Sequence, residues 1–453
     1  MKVPTLEKEV GIELYASKSP GIGGRIRQLP EDFVVEEVLV DGSKARVGTA
    51  ETKPPTRLGR YLVCLLVKRG WDTLLATREI AEQLGIEQDR IQIAGIKDAK
   101  ALTAQHITIS RITPEELTQL KIENLALYPL SYSDRKMSSA RLLGNQFHIL
   151  VRAVSQTPTT IRSRIKNVQA ELADVGGLPN FFGHQRFGTI RPITHLVGKH
   201  LVKGALETAT FIFLAKPSLH EHPEAREARQ QLQDTGDFKE ALRGFPRFFK
   251  YERTMLGHLA RHPKDFSGAF RRLPLKLRRL FVHAYQSFLF NRFLSQRIRR
   301  DMPLSTAHVG DYAAELDSQG LPTVSSTQVT GQSRNSVQRA IHESKMCIAV
   351  PLIGFEQTPS NGVQGEIERE ILEEEHLSPK EFKVPSMPQI SASGGLRPIL
   401  APIVNLSIQE TPQESANESK QSLMLNFMLH RGSYATVLLR EFMKPRDLTE
   451  AGF

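Results

Sequence analysis

Apolar, β-favouring runs mark the predicted strands in the first third of the chain. Valine, isoleucine, leucine and aromatic residues dominate them, and such residues pack well on the pleated surface of a sheet. The longer runs are FVVEEVLV (33–40), YLVCLLVKR (61–69) and QFHILVRA (146–153). Two shorter runs, RIQI (90–93) and HITI (106–109), lie on either side of a predicted turn. This part of the chain is therefore predicted to form a sheet.

Helical patterns separate these strands and then dominate the middle of the chain. Residues 72–85 predict a helix that ends at Gly85, and residues 157–177 predict a longer helix. From about 200 to 375 the pattern is mainly helical, with one strand-like interruption at 308–316. The middle of the chain thus differs in character from the part before it.

The end of the chain returns to the pattern of its beginning. Residues 408–421 are polar and predict a mobile loop, residues 422–429 predict a strand, and residues 434–443 predict a helix. Since the two ends resemble each other more than either resembles the middle, the sequence predicts one mixed α/β domain interrupted by a helical insertion.

Length, charge and cysteine content narrow the class of protein. A chain of 453 residues is long for one core, which favours two domains. A net charge of +11 favours nucleic acid as the partner, the alternative being a basic protein whose lysines only keep it dispersed. The two cysteines lie in apolar runs, as in a reducing compartment. With no apolar signal segment and no run of about 18 apolar residues, we expect a cytoplasmic protein without membrane contact.

The adjacent charges Lys97 and Asp98 are the first candidates for chemistry. They lie in the turn AGIKDAKALTAQ (94–105), which follows one short apolar run and precedes another. A charged turn is the ordinary explanation of such a pair. However, a carboxylate at a strand end, partly removed from water and beside a cation, can attack or stabilise an electron-poor carbon. Because adjacent residues of an extended chain point to opposite sides, Lys97 need not be the partner of Asp98.

Three further stretches combine aromatic and polar residues. In RQLPEDFVVEE (27–37) a glutamate shares a strand face with Phe33, although an ordinary edge strand explains the pattern equally well. In LPNFFGHQRFG (178–188) three phenylalanines alternate with asparagine, glutamine and arginine, side chains that stack on and hydrogen-bond to bases. The alternative there is a packed loop with buried aromatics. RGSYATVLLRE (431–441) places an aromatic residue at the predicted start of a helix. The amino terminus of a helix can bind an anion.

Several familiar cofactor motifs are missing from the sequence. GIGG (21–24) is not followed by the GK[ST] ending of a phosphate-binding loop, and no GxSxG elbow occurs. Two cysteines cannot form a cysteine-rich zinc site, and the closely spaced histidines lack an accompanying glutamate signature. We therefore expect no cofactor and no metal.

Taken together, these stretches resemble the TruD family of pseudouridine synthases. The shared pieces, in the order of the family, are PEDFVVEE (30–37), AGIKDAKALTAQ (94–105), GNQF (144–147), NFFGHQRFG (180–188) and RGSYATVLLRE (431–441). They span nearly the whole chain, and the long middle segment resembles archaeal and eukaryotic members. The resemblance implies an α+β fold with a mixed, largely antiparallel sheet. It implies a discontinuous catalytic domain at 1–199 and 391–453 and a mainly helical TRUD insertion domain at 200–390.

The resemblance also implies roles for single residues. Asp98 corresponds to the catalytic aspartate. Phe33, Asn180 and Tyr434 match positions that contact the target nucleotide, although phenylalanine is common where this chain has Tyr434. Phe182 resembles an aromatic residue that lies against the target base. Arg27 stands where the family has a basic residue near the active site, and Lys97 is expected to shape the field of Asp98 or the path of the RNA.

The implied reaction converts a uridine of tRNA, at position 13 by family analogy, to pseudouridine. It breaks the bond from C1′ to N1, turns the freed uracil and joins C1′ to C5, without redox change or energy source. The implied partner is tRNA, with other RNAs as further substrates and no obligate protein partner. Two alternatives stay open: an RNA-binding or RNA-folding protein whose catalysis is secondary or lost, and a nucleoside glycosylase that uses the same carboxylate.

Overall fold

The chain forms two compact units, each made of discontinuous segments. The computed structural model describes residues 2–48, 59–411 and 421–453. One unit, which we call the sheet unit, consists of Ser19–Ala170, Ala401–Pro445 and Glu450–Phe453. The other, which we call the helical unit, consists of Met1–Lys18, Glu171–Leu400 and Arg446–Thr449. The insertion predicted at 200–390 lies wholly within the long segment of the helical unit.

The apolar runs singled out in the sequence lie in strands, and further strands occur where the sequence has no such run. In chain order they are β1 (Phe33–Leu39), β2 (Tyr61–Arg69), β3 (Ile91–Ile93), β4 (Leu102–Ser110), β5 (Leu125–Ser133), β6 (Leu142–Val154), β7 (Leu178–Pro179), β8 (Tyr312–Leu316), β9 (Pro322–Gln328), β10 (Met346–Leu352), β11 (Gly395–Pro398), β12 (Leu400–Ala401), β13 (Ile403–Thr411) and β14 (Gln421–His430).

The α-helices are concentrated in the middle of the chain. They are α1 (Thr5–Glu9), α2 (Thr73–Leu84), α3 (Pro114–Leu117), α4 (Pro158–Val175), α5 (Thr194–Val202), α6 (Leu206–Ala215), α7 (Pro223–Thr235), α8 (Phe238–Gly244), α9 (Lys250–Leu259), α10 (Phe266–Arg271), α11 (Leu275–Arg299), α12 (Arg334–His342), α13 (Gly362–Glu374) and α14 (Ala435–Met443).

The sheet unit is built on an eight-stranded sheet with the order β13-β14-β6-β1-β4-β2-β5, and β3 pairs with β4 outside this path. Strand β1 runs parallel to β4, whereas the other neighbouring pairs are antiparallel. The predicted α+β fold with a mixed, largely antiparallel sheet is thus confirmed. The edge-strand alternative for β1 is wrong, because β1 lies between β6 and β4 and hydrogen-bonds to both.

The turn that carries Lys97 and Asp98 joins two paired strands, as the sequence predicted. Ile91 lies opposite Ile109, and Ile93 lies opposite Ile107. The isoleucines at 91, 107 and 109 are buried in a core with Leu62, so burial of apolar surface fixes both strand ends of the turn. A turn anchored in this way can hold a side chain in a constant position.

Helix α2 packs beside the same turn, and its limits follow from local chemistry. The carboxylate of Asp72 accepts hydrogen bonds from the N–H groups of Leu74 and Leu75, which have no partner within the helix. At the other end Gly85 adopts φ 63°, a left-handed conformation that glycine tolerates without the steric cost of a side chain. Both predicted ends of this helix are confirmed.

The helical unit is organised around α11, whose 25 residues include a buried row of aromatic and aliphatic side chains. A smaller sheet with the order β11-β10-β8-β9 belongs to the same unit, and the predicted strand at 308–316 is β8. In the predicted loop at 408–421, residues up to 411 belong to β13, whereas 412–420 lie outside the described residues. None of the described helices is long and apolar enough to cross a bilayer.

Candidate active site

The carboxylate of Asp98 is held by one buried arginine. Nη2 of Arg27 donates a hydrogen bond to Oδ1 of Asp98 over 2.9 Å, and the side chains are 8% and 34% exposed, respectively. Among the described residues, no donor contacts Oδ2 of Asp98. One oxygen of the carboxylate is therefore fixed by the protein, and the other is left for a ligand.

Arg27 is itself anchored on three sides. Its guanidinium carbon lies 3.9 Å from the centre of the Phe33 ring, and Nη1 donates to the carbonyl oxygen of Gly452 over 3.3 Å. Its backbone adopts φ 54°, a left-handed conformation that side chains other than glycine rarely take. Burial lowers the pKa of Arg27, and the charge of Asp98 opposes that shift. The guanidinium thus depends on Asp98 for its compensating charge.

A second buried cation fixes the backbone of the turn. Nζ of Lys68, near the end of β2, donates to the carbonyl oxygens of Asp98 at 2.8 Å and of Trp71 at 2.7 Å. The residue is fully buried, and burial lowers the pKa of Lys68 to about 8. Sequence reasoning missed this residue. The available signal was weak, because Lys68 stands beside Arg69 at the end of the apolar run of β2.

Lys97 points into the sheet rather than towards Asp98. Its Nζ lies 2.8 Å from Oε1 of Glu37 and donates to Oδ1 of Asn145 over 2.8 Å. The other carboxylate oxygen of Glu37 accepts the backbone N–H of His106 over 2.9 Å. Burial raises the pKa of Glu37, but the hydrogen bonds from His106 and the charge of Lys97 outweigh it, so that the net shift is downward. Lys97 and Glu37 therefore form a buried ion pair.

The backbone of Lys97 is fixed as firmly as its side chain. Its N–H donates to Oγ1 of Thr73 over 3.0 Å, and the hydroxyl of Thr73 donates to its carbonyl oxygen over 3.2 Å. Thr73 is the first residue of α2, so the helix start and the turn are joined directly. Together with Lys68, these contacts determine where Asp98 stands.

Two aromatic residues predicted to meet the nucleotide belong to the sheet unit. Phe33 is 1% exposed, has Arg27 on its ring face and meets the ring of Phe147 edge-on at 6.3 Å. Tyr434 is half-buried and is the residue immediately before α14. The structure thus joins Asp98, Arg27 and Phe33 through direct contacts and places Tyr434 in the same unit.

The other two predicted residues, Asn180 and Phe182, belong to the helical unit, where Arg397 connects them. Arg397 donates to the backbone oxygen of Asn180 at 3.1 Å and to its side-chain oxygen at 2.8 Å. The same guanidinium lies 3.9 Å from the centre of the Phe182 ring, which meets Phe290 edge-on. Both predicted residues are nearly buried. Sequence reasoning also missed Arg397, because nothing in GGLRP distinguishes it from any other basic residue.

The described residues contain no cluster of side chains that could bind a metal ion. Among them, no group of three or more histidine, cysteine, aspartate or glutamate side chains is arranged to bind a metal ion. The chemistry available at Asp98 is that of an oriented carboxylate with one uncommitted oxygen, beside a buried guanidinium.

Comparison with known proteins gives a consistent result over the full chain. The sequence model of the family "tRNA pseudouridine synthase D (TruD)" matches residues 9–442. A protein of Methanosarcina acetivorans named "Probable tRNA pseudouridine synthase D" is 40% identical over 445 residues, which are 98% of each chain. A protein of the same name from Thermococcus onnurineus is 39% identical over 435 residues, 95% of this chain and 97% of that one. A crystal structure of a TruD protein from Methanosarcina mazei superposes with a TM-score of 0.81 at 38% identity, covering 98% of this chain and 99% of that chain.

Proposed function

Because the chain belongs to the tRNA pseudouridine synthase D family, and is therefore an isomerase that acts on tRNA, we propose that Asp98 is its catalytic residue. We further propose uridine 13 of tRNA as the target and a reaction that uses no cofactor. The observation that carries the assignment of Asp98 is its geometry, since Arg27 holds Oδ1 and no described donor occupies Oδ2.

The chemistry fits a single, oriented carboxylate. When the bond from C1′ to N1 breaks, C1′ becomes electron-poor, and a negative oxygen fixed beside it stabilises or traps that carbon. The uracil then turns, C5 bonds to C1′, the proton leaves C5 and N1 gains one, so that the product is an isomer of the substrate. Arg27 and Lys68 hold Asp98 in place before the substrate arrives, which spares the cost of orienting it during the reaction.

The remaining residues keep the roles that the family resemblance implies, as proposals. Phe33, Asn180, Phe182 and Tyr434 contact the target nucleotide. The stack of Arg27 on Phe33 supports a combined role for these two, since a guanidinium plane accepts a stacked base as an aromatic ring does. Lys97 keeps its proposed role in shaping the field of Asp98 or the path of the RNA, although the charge of Glu37 offsets its own within the sheet.

The test compares the wild type with Asp98→Asn on unmodified tRNA transcripts, mapping pseudouridine by carbodiimide treatment and primer extension. We expect wild type to modify one position, and a transcript with cytidine at position 13 to remain unmodified. Asp98→Asn should form no product while still binding tRNA. The matched control is Asp89→Asn, an exposed aspartate ahead of β3, which should leave activity unchanged.

Three outcomes would contradict parts of this proposal. Pseudouridine at another position of the tRNA would contradict the assignment of position 13. Activity that survives in Asp98→Asn would mean that another group does the chemistry. Release of free uracil instead of pseudouridine would indicate a glycosylase.

A further inference from the structure

A basic cavity of about 490 Å³ lies within the helical unit. Arg279, His283 and Ser287 reach it from α11, and their spacing of four residues places them on one face of the helix. Arg186 enters from the short turn His184–Arg186, and Arg397 enters from β11. The size is in the ordinary range for a small-molecule or nucleotide site.

Two arginines of this cavity, Arg186 and Arg279, are held in place by neutral oxygens. Nε of Arg186 donates to the hydroxyl of Ser287 over 3.3 Å, and Nε of Arg279 donates to the carbonyl oxygen of Gln389 over 2.9 Å. Neither arginine forms an ion pair with any residue in the described parts of the chain. Each uses only part of its donor set on neutral oxygens, so guanidinium N–H groups remain for an anion.

The electrostatic environment also indicates an anion. No aspartate or glutamate lines the cavity within the described ranges. Loss of solvent around the ring lowers the pKa of His283, and the positive charges of Arg186 and Arg279 lower it further. Three guanidinium groups around one cavity, with no carboxylate among its described lining residues, favour a bound group that carries negative charge.

We propose that this cavity binds a phosphodiester group of the RNA substrate, with Arg186 and Arg279 donating to its oxygens. Arg397, stacked on Phe182, lies beside the bound segment, where its guanidinium plane receives a base or ribose. The choice of RNA rests on the proposed function, which supplies tRNA as substrate. A free phosphate or nucleotide would satisfy the same donors, and the test separates these sources.

The first test measures tRNA binding by Arg279→Gln over a range of salt concentrations. Arg279 is suited to it because the residue is exposed and its one described hydrogen bond goes to a backbone oxygen. Loss of one phosphate contact should weaken binding by about 3–10-fold at low salt, and should reduce the slope of log K against log salt by about 1. Arg279→Lys should restore most of the affinity, because it keeps the charge.

The matched control is Arg339→Gln, which removes the same charge from an exposed position on α12 of the same unit. It should leave affinity and salt slope near their wild-type values. Equal losses in Arg279→Gln and Arg339→Gln would overturn the proposal, since they would show a general charge effect. An unchanged slope in Arg279→Gln would overturn it as well.

The second test observes the ring of His283 by NMR in the wild-type protein, with the signal assigned through His283→Gln. Addition of tRNA should raise the pKa of His283, because a phosphate placed between it and the arginines opposes their charge. If inorganic phosphate raises that pKa and tRNA does not, the cavity binds a small anion and the RNA assignment is overturned. If neither ligand does, no anion binds there.

These measurements need no catalysis. A protein that binds tRNA through Arg279 but forms no pseudouridine would contradict only the proposed function, whereas one that forms pseudouridine with an unaltered salt slope in Arg279→Gln would contradict only the cavity.

Discussion

Two arginine–phenylalanine stacks, one in each unit, show how the same contact serves different ends. In the sheet unit Arg27 lies 3.9 Å from the ring centre of Phe33, and in the helical unit Arg397 lies 3.9 Å from that of Phe182. The ring fixes each guanidinium plane in the same way, by cation–π attraction and contact. What differs is the acceptor at the end of the arginine.

Arg27 donates a hydrogen bond to the carboxylate of Asp98, whereas Arg397 donates one to the neutral amide oxygen of Asn180. The first pair holds a reactive negative oxygen in place. In the second, the amide of Asn180 accepts from the guanidinium and carries no charge, and Arg186 and Arg279 of the same cavity form no ion pair within the described parts of the chain. We therefore assign the chemistry to the stack whose arginine holds Asp98, and contact with the RNA to the cavity that Arg186, Arg279 and Arg397 line.

The largest expected effect is on stability and concerns the buried ion pair of Glu37 and Lys97 in the sheet unit. Glu37→Gln leaves the charge of Lys97 buried without its partner, which should cost about 3–5 kcal/mol of unfolding free energy. In the double variant Glu37→Gln, Lys97→Met much of that loss should return, because no buried charge remains. Urea unfolding of wild type, both single variants and the double variant measures the coupling. Additive losses would show that the two side chains do not act as a pair.

A second prediction tests the hydrogen bond by which Arg27 holds the carboxylate of Asp98. Arg27→Met keeps an unbranched apolar stem, although a shorter one, and removes the charge and the hydrogen bond to Oδ1. We expect the single-turnover rate at saturating enzyme to fall by about 10²-fold, with tRNA affinity changed little, because the carboxylate loses its fixed orientation. Arg27→Lys should recover part of the rate. If affinity fell and the rate at saturation did not, Arg27 would be a binding residue like Arg397.

A third prediction concerns Lys68, whose ammonium group donates to the backbone carbonyl oxygen of Asp98. Its pKa is about 8 in the folded protein and about 10.4 when unfolded, so the unfolded chain holds more protons between these values. Stability of the wild type relative to Lys68→Met should therefore rise with pH across that window, by about 1.4 kcal/mol for each pH unit, and stay constant below it. Unfolding titrations at several pH values measure the difference. A flat difference would mean that Lys68 titrates normally.

The smallest expected effect is on the helical-unit side. Arg397→Met should weaken tRNA binding by about 10-fold, while the single-turnover rate at saturating enzyme stays within a few-fold of wild type. Arg339→Met supplies the control for loss of one positive charge. A large loss of rate at saturation would contradict this prediction, since Arg397 would then contribute to the reaction as well as to tRNA binding.

The two stacks also mark what the sequence could and could not predict. Helix α2, strand β2 and the turn that carries Asp98 depend on local pattern, caps and apolar runs, and they agree with the structure. The interior position of β1 depends on pairing with β4 and β6, which periodicity does not specify.

The contacts of the site are long-range, so the residue pattern could not pair these side chains, although the family resemblance placed Arg27 near the active site. Arg27 and Asp98 are 71 positions apart, and Arg397 and Asn180 are 217 positions apart. Lys68 reaches Asp98 across 30 positions from within an apolar strand. Residue types alone placed Asp98 as a candidate, whereas the groups that orient it required the fold.

The most direct measurement of the central claim is the single-turnover rate of Asp98→Asn on unmodified tRNA, at enzyme concentrations that saturate binding, beside Asp89→Asn. We expect the rate of Asp98→Asn to fall by about 10³-fold or more, with an unchanged dissociation constant for tRNA and a wild-type rate for the control. If the rate of Asp98→Asn stays within a few-fold of wild type, the carboxylate held by Arg27 is not the catalytic group.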